Sequence, residues 1–552
     1  MKTARLILSR TVVLILISTV TQLNNLYGQK LVWEKSHGSI WFDQAEYSIE
    51  ETNDGGYIFP MLSYREFVPD PFCRYCATIT KTDTAGNVIW KKRDEYYLNK
   101  KQHLLGGKTD MRITSVQPTL DGGYITAGYA NGMDPEYGIR PGGTRNINRN
   151  HVWVMKLNSL GIVEWGEIYW GDSEDYGFSA KEITKIDPIS GVPVSDGFII
   201  GGYTYSTSGD VKSNHGKTDI WVLRLDTKGG IVWSQTYGGS SEEQCTRVQP
   251  TRDGGFIALG KTYSNDHDAT GNHGKSDIIV LKLKSNGDID WKKTYGGSNE
   301  DYPGGIEENI DGNGYIFSGT TTSIDGNIIS KRSGSTDGDI WVVKLKANGN
   351  IIWDKTYGGT ADEMAWDIAI KSSDTTYMIS GSAGSNDLDV FIKRGLHDDY
   401  YALKLDKNGN FKWSSTYGGG KSDFATSIRP TKDGNYYIGI GTTFSWDGDI
   451  TGSIGEHDAW MIKIKDTDVK PTILISPTIF YGNEMNLLRI DVLDSRYIGA
   501  TVEIIDMVTS AVKIRTTITK TKEIIDITSL PRGIYLVRIT GPTTIQVRIV
   551  VI

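Results

Sequence analysis

At 552 residues, with 64 glycines, 15 prolines, 15 tryptophans and 29 tyrosines, the chain is too long for one ordinary domain and too aromatic to be disordered. Three cysteines exclude a disulfide-built scaffold. The net charge of −8 speaks against nucleic acid or an anionic membrane surface as partner.

Residues 1–28 have the build of a secretory signal peptide. Lys2, Arg5 and Arg10 charge its start, Thr11–Val20 (TVVLILISTV) is its apolar core, and Tyr27-Gly28 marks the cleavage point. The apolar run is too short to span a bilayer, and no lipobox cysteine follows it. Losing those three basic residues takes the net charge from −8 to −11. The tail from Lys470 holds ten basic and seven acidic residues, which leaves −14 on the stretch between.

That stretch is a repeat. Trp291–Gly297 (WKKTYGG) recurs as Trp233–Gly239, Trp353–Gly359 and Trp413–Gly419, with degraded copies at Trp33, Trp90 and Trp165. Behind each copy come a carboxylate, an apolar run, a DGGY-like turn, a second apolar run, a long polar loop and an alternating run such as Asp277–Leu283. Short alternating runs joined by Asn-Gly or Asp-Gly are hairpins, and four per unit make a propeller blade. The aromatic after the DGGY-like turn (Tyr57, Tyr124, Phe198, Phe256, Tyr315, Tyr377 and Tyr436) also counts seven. The expectation is an all-β fold: a seven-bladed β-propeller over 29–466, with Leu31–Gly38 as the outer strand of the last blade.

The pieces KLKSNGDIDW (282–291), RLDTKGGIVW (224–233) and KLKANGNIIW (344–353) resemble WD-type repeats. They resemble more closely the sixty-residue delta repeats of bacterial secreted propellers. The resemblance implies the fold and is nearly silent on activity.

Three groups of residues bear on chemistry. Asp43, Asp175, Glu243, Asp301, Glu363 and Asp423 open the first strand of six units and would ring the mouth of a central channel, as a face for a cation, sugar or cationic ligand. As turn caps, the same acids would accept backbone N–H bonds instead. Trp446 lies in a polar loop outside the repeat pattern and is the best aromatic for ligand stacking, whereas Trp366 reads as core. Asp447, Asp449, Thr451 and Asp458 stand at positions 1, 3, 5 and 12 of a loop with Gly452 at position 6. Asp266, Asp268, Thr270, Gly271 and Asp277 repeat the pattern, which is the ligand spacing of a calcium-binding EF-hand loop.

No HExxH, GxSxG, phosphate-binding or dinucleotide motif is present. Cys73 and Cys76 (CRYC) read as a local disulfide or two free thiols, and Cys245 as core.

From residue 467 the pattern changes to five or more strands, a small immunoglobulin-like β-sandwich. Within it, Asp526–Ile539 (DITSLPRGIYLVRI) resembles the hallmark of the type A C-terminal sorting domain of the type IX secretion system. The resemblance implies a Gram-negative cell, passage through the secretion machinery, and release or anchoring at the outer surface. The expected function is non-catalytic binding of an extracellular glycan or protein. The competing reading is a secreted glycoside hydrolase or polysaccharide lyase, betrayed by polar residues unique to single blades that converge on the channel mouth.

Overall fold

The computed structural model describes residues 29, 31–39, 42–64, 75–93, 111–131, 149–329, 331, 337–390, 393–467 and nine stretches between 473 and 551. The signal peptide, Trp41, Cys73, Asp110 and most of the loops at 69–76 and 131–150 lie outside them, and so does the state of the CRYC pair. Among the described residues there is no helix, and every regular element is a strand.

The fourth sheet shows how the repeat folds. Its strands Glu243–Pro250, Phe256–Thr262, Asp277–Leu283 and Ile289–Tyr295 pair antiparallel in chain order. Gly254 turns the first hairpin at φ +80°, a conformation that costs glycine no clash. Beside it, Asp253 accepts from the N–H of Gly255 at 3.0 Å and pairs with the buried Lys282 ammonium at 2.8 Å. The DGGY signal is therefore a turn plus the counter-ion of a third-strand lysine.

Seven such antiparallel sheets follow one another between residues 31 and 465. In the last, Leu31–His37 pairs with Asp458–Lys465, so the N-terminal strand takes the outer place that each Trp-bearing strand takes elsewhere.

The WxxxYG motif joins neighbouring sheets. The Tyr295 hydroxyl donates to the carbonyl of Gly349 in the next sheet at 2.5 Å, and a Cβ on Gly349 would sit 2.8 Å from the Trp291 ring. Tyr169 with Gly229, Tyr237 with Gly287 and Tyr357 with Gly409 repeat the bond. Trp33 lies against Gly86, so the same contact joins the seventh sheet to the first.

Between sheets run seven apolar clusters, each shared by two consecutive sheets. One joins Ile257, Leu259 and Ile278 to Phe317, Trp341 and Val343. Another joins Ile438, Ile440 and Met461 of the seventh sheet to Tyr57, Phe59 and Met61 of the first. Each buried Leu, Ile or Phe adds roughly 1.5–3 kcal/mol, so the order of packing is closed on itself.

The tail forms two further sheets. Ile473–Ser476, Leu487–Val492 and Lys522–Asp526 make one; Ile479–Phe480, Thr544–Val551, Gly533–Thr540, Thr501–Asp506 and Val512–Thr517 make the other. Leu488 and Ile490 pack against Val502, Ile504, Val537 and Ile539 in one core. Within the hallmark stretch, Tyr535 is buried and its hydroxyl donates to the Pro531 carbonyl at 2.7 Å.

Candidate functional site

Asp43, Asp175, Glu243, Asp301, Glu363 and Asp423 are all fully buried. Each turns back to accept an N–H four residues earlier: Ser39 at 2.6 Å, Gly171 at 2.9 Å, Gly239 at 2.7 Å, Gly297 at 2.8 Å, Gly359 at 2.6 Å and Gly419 at 2.8 Å. They cap turns between sheets, and none presents its carboxylate to solvent. Beside five of them stands a second fully buried acid, which opens the third strand of the preceding sheet. Asp219 is next to Glu243, Asp277 to Asp301, Asp339 to Glu363, Asp399 to Asp423 and Asp458 to Asp43. Burial pushes Asp301 and Asp423 up to about 6, Glu363 to about 7 and Asp399 to about 8, and the neighbouring acid adds to the shift at Asp301, Glu363 and Asp399.

The residues with EF-hand spacing are spread over separate turns. Asp266 accepts from the Ser240 N–H at 2.7 Å, Asp268 pairs with Lys292 at 2.9 Å, and the Thr270 carbonyl accepts from Thr294 at 3.2 Å. Asp277 accepts from the His273 N–H at 3.0 Å and meets its imidazole at 2.6 Å. In the other set, Asp447 accepts from Gly420 at 2.6 Å, Asp449 pairs with Arg394 at 2.9 Å, and Thr451 bonds Glu34. Asp458 accepts from Ile454 at 2.7 Å. Among the described residues no three Asp, Glu, His or Cys side chains are grouped to hold a metal ion. Trp446 is 60% exposed, with the Lys421 ammonium 3.7 Å from its ring centroid.

The most concentrated chemistry lies elsewhere, where first strands of non-neighbouring sheets meet. Arg247 of the fourth sheet donates to the Tyr47 carbonyl of the first at 3.2 Å. Arg429 of the seventh reaches Glu50 of the first at 3.2 Å and Asp367 of the sixth at 2.5 Å. Lys181 of the third lies 3.6 Å from the same Glu50 and bonds Gln117 of the second. Burial alone would raise Glu50, but Lys181, Arg429 and Gln117 hold it below the usual carboxylate range. Glu307 of the fifth sheet and Gln249 of the fourth complete the group. All seven sheets contribute to this charged plug.

Next to this plug is an aromatic wall. Tyr176 stacks on Tyr203 at 4.9 Å and Phe178 on Tyr203 at 5.6 Å. Tyr129 meets Tyr176 edge-on at 4.8 Å, and Tyr47 lies 6.4 Å from both Phe178 and Trp366. These rings are half-buried. Against them Arg112 donates to Glu46 at 2.7 Å. Burial pushes Glu46 up to about 7 although Arg112 opposes the shift, and its Oε2 has no hydrogen-bond partner.

The sequence reading missed this group, and placed Trp366 in the core. A usable signal existed. Five first strands carry a β-bulge at one repeat position, and a bulge re-aims a side chain. The bulged residue is Thr114, Thr246 or Thr426 in three sheets but Phe178 and Trp366 in two. One position later, Ser115, Ser179 and Ser427 contrast with Arg247 and Asp367.

Residues 485–552 match the secretion system C-terminal sorting domain family. The chain thus ends in a type IX sorting domain and is exported. No curated protein matches the chain. Among solved structures, similar folds include the C-terminal domain of Pseudomonas aeruginosa PilY1 (11% identity, 75% of this chain and 89% of that one, TM-score 0.26). A Synechocystis apocarotenoid oxygenase is 12% identical over 82% of this chain and 96% of its own, with TM-score 0.33. The parainfluenza virus 5 hemagglutinin-neuraminidase ectodomain is 9% identical over 81% and 88%, with TM-score 0.32. At these scores none bears on what the chain does.

Proposed function

We propose that residues 29–466 are a seven-bladed β-propeller of delta-type repeats that binds an extracellular glycan on its aromatic wall. The immunoglobulin-like tail, 467–552, delivers it to the cell surface or the medium. Supporting the ring are seven sheets in sequence, seven shared cores and the Trp33–Gly86 contact at the seam. One observation carries the ligand class: half-buried Tyr176, Tyr203 and Phe178 stack on one another, and Tyr129 beside them is reached by Arg112. A pyranose has an apolar C–H face to lay on such rings and hydroxyls at its edge for guanidinium groups. The plug of Glu50, Arg429 and Lys181 gives the site a floor. A glycan array with the mature chain is the test. Tyr203→Ala should weaken the captured glycan roughly ten-fold while the variant still melts cooperatively; equal capture by both proteins overturns the reading.

Glu46 favours a second reading, a secreted polysaccharide-cleaving enzyme, because a carboxyl held near neutrality suits proton transfer. Glu46→Gln separates the two: in a binding protein the glycan stays bound and no cleavage is seen with either chain. In an enzyme the unaltered chain shortens the glycan and the variant does not.

A further inference from the structure

The buried acids at the sheet junctions do more than cap turns. At the fourth–fifth junction the Ser276 carbonyl accepts the Asp301 N–H at 2.8 Å, which sets Asp277 and Asp301 side by side. Asp277 Oδ1 and Asp301 Oδ2 lie 2.5 and 2.6 Å from where a Cβ on Gly296 would stand, so they are within about 5 Å of one another. Two oxygens that both bind one calcium at 2.3–2.6 Å stand no further apart than about twice that distance, so the gap is not too wide for the ion. Asp277 is 0% exposed, and its Oδ1, facing the gap, has no hydrogen-bond partner.

The geometry repeats. Asp219 Oδ1 and Glu243 Oε2 lie 2.5 and 2.6 Å from the Cβ position of Gly238; Asp399 Oδ1 and Asp423 Oδ2 lie 2.9 and 2.5 Å from that of Gly418. The Oδ1 atoms of Asp219 and Asp399 are likewise fully buried and without a partner. A buried acceptor left unpaired is costly, and two buried like charges are costlier. Each motif glycine keeps the space between them clear.

The two junctions that depart from the pattern are informative. At the second–third junction His151 takes the place of the third-strand acid, and its Nδ1 lies 3.4 Å from Asp175 Oδ2. At the first–second junction neither of these strand positions is an acid: Cys76 and Met111 stand there.

We propose that the junction pairs are calcium sites, one at each of the five junctions where two acids face each other, and that the ion locks adjacent sheets together. The donors are all oxygen and the charge is minus two, which suits a hard divalent cation; water and main-chain oxygen fill the remaining coordination. These sites share Asp277 and Asp458 with the EF-like sets but not Asp268 and Asp449, which already hold Lys292 and Arg394.

Equilibrium dialysis of the mature chain against millimolar radioactive calcium, paired with melting curves in calcium and in chelator, tests the proposal. About five ions per chain and a melting point rising with the logarithm of calcium are expected. Asp277→Asn and Gly296→Ala should each remove one ion. The second keeps both acids and fills the gap with a methyl group, so it guards against misfolding of the first. Asp268→Ala should remove none. No bound calcium and identical melts in both buffers would overturn the sites, whatever the variants do. Loss of calcium with Asp268→Ala but not with Gly296→Ala would move the ions to the loops and overturn them equally.

Discussion

The indole N–H of Trp460 donates to Glu34 at 2.8 Å, joining residues 426 positions apart. Glu34 also accepts from the N–H of Thr451 at 3.1 Å, and the Tyr417 hydroxyl bonds the Gln29 carbonyl at 3.2 Å. The N-terminal strand is thus fastened along its edge and at its start. Deleting residues 29–39 would bare the edge of Asp458–Lys465 and leave Trp460 without its acceptor. Aggregation, or a broad melt replacing a cooperative one, is the expected outcome. A truncated chain that melts like the full one would show the strand to be dispensable.

Arg429 is the most heavily engaged residue of the charged plug, serving Glu50 and Asp367 together. Arg429→Ala would leave Asp367 buried without its cation and Glu50 with Lys181 alone, a change that costs about 3–5 kcal/mol. Chemical denaturation should register most of that loss. Arg429→Ala with Asp367→Asn should recover part of it, since Asp367 then brings no buried charge and Glu50 keeps Lys181. Equal stability of Arg429→Ala and the parent would mean that water reaches the plug.

The repeat was legible because one contact is used over and over. Trp291 under Gly349 and Tyr295 on the Gly349 carbonyl are the same bond as Tyr237 on Gly287, so selection writes the same letters every sixty residues or so. The aromatic wall was illegible for the converse reason. Tyr47, Phe178, Arg247 and Trp366 sit on four sheets, each once, and only ring closure brings them together. The EF-like spacing of Asp447, Asp449 and Asp458 shows a third limit. Alternate acids along a loop point at whichever partner the tertiary fold supplies, here Gly420, Arg394 and Ile454.

The tail core, from Leu488 to Ile539, draws on no residue of the seven sheets. Removing residues 470–552 should therefore leave the melting transition of the remainder in place. In the native cell the shortened chain should accumulate in the periplasm. Fractionation with an antibody to the body decides it: normal surface delivery without the tail would mean that another segment carries the address.

His37 closes the N-terminal strand and is only 7% exposed, with the Phe59 ring 5.3 Å away. Its Nε2 is buried without a partner, and Lys91 and Lys35 are the nearest charges acting on it. Burial first, then these two lysines, lower it from 6.5 to about 4. Unfolded, the same imidazole takes up a proton near pH 6.5. Between pH 6.5 and 4 the unfolded chain therefore holds more protons at this site, and stability falls as the pH falls. The contribution is fully present at pH 7 and lost on the way to pH 4. His37→Phe keeps an aromatic ring in the pocket and removes the titration. Melting curves at pH 7 and pH 5 should show a smaller acid-induced drop for His37→Phe than for the parent. Parallel drops in the two proteins would mean that the protonated imidazole finds solvent, and that the seam opens at this strand end before the rest of the sheet.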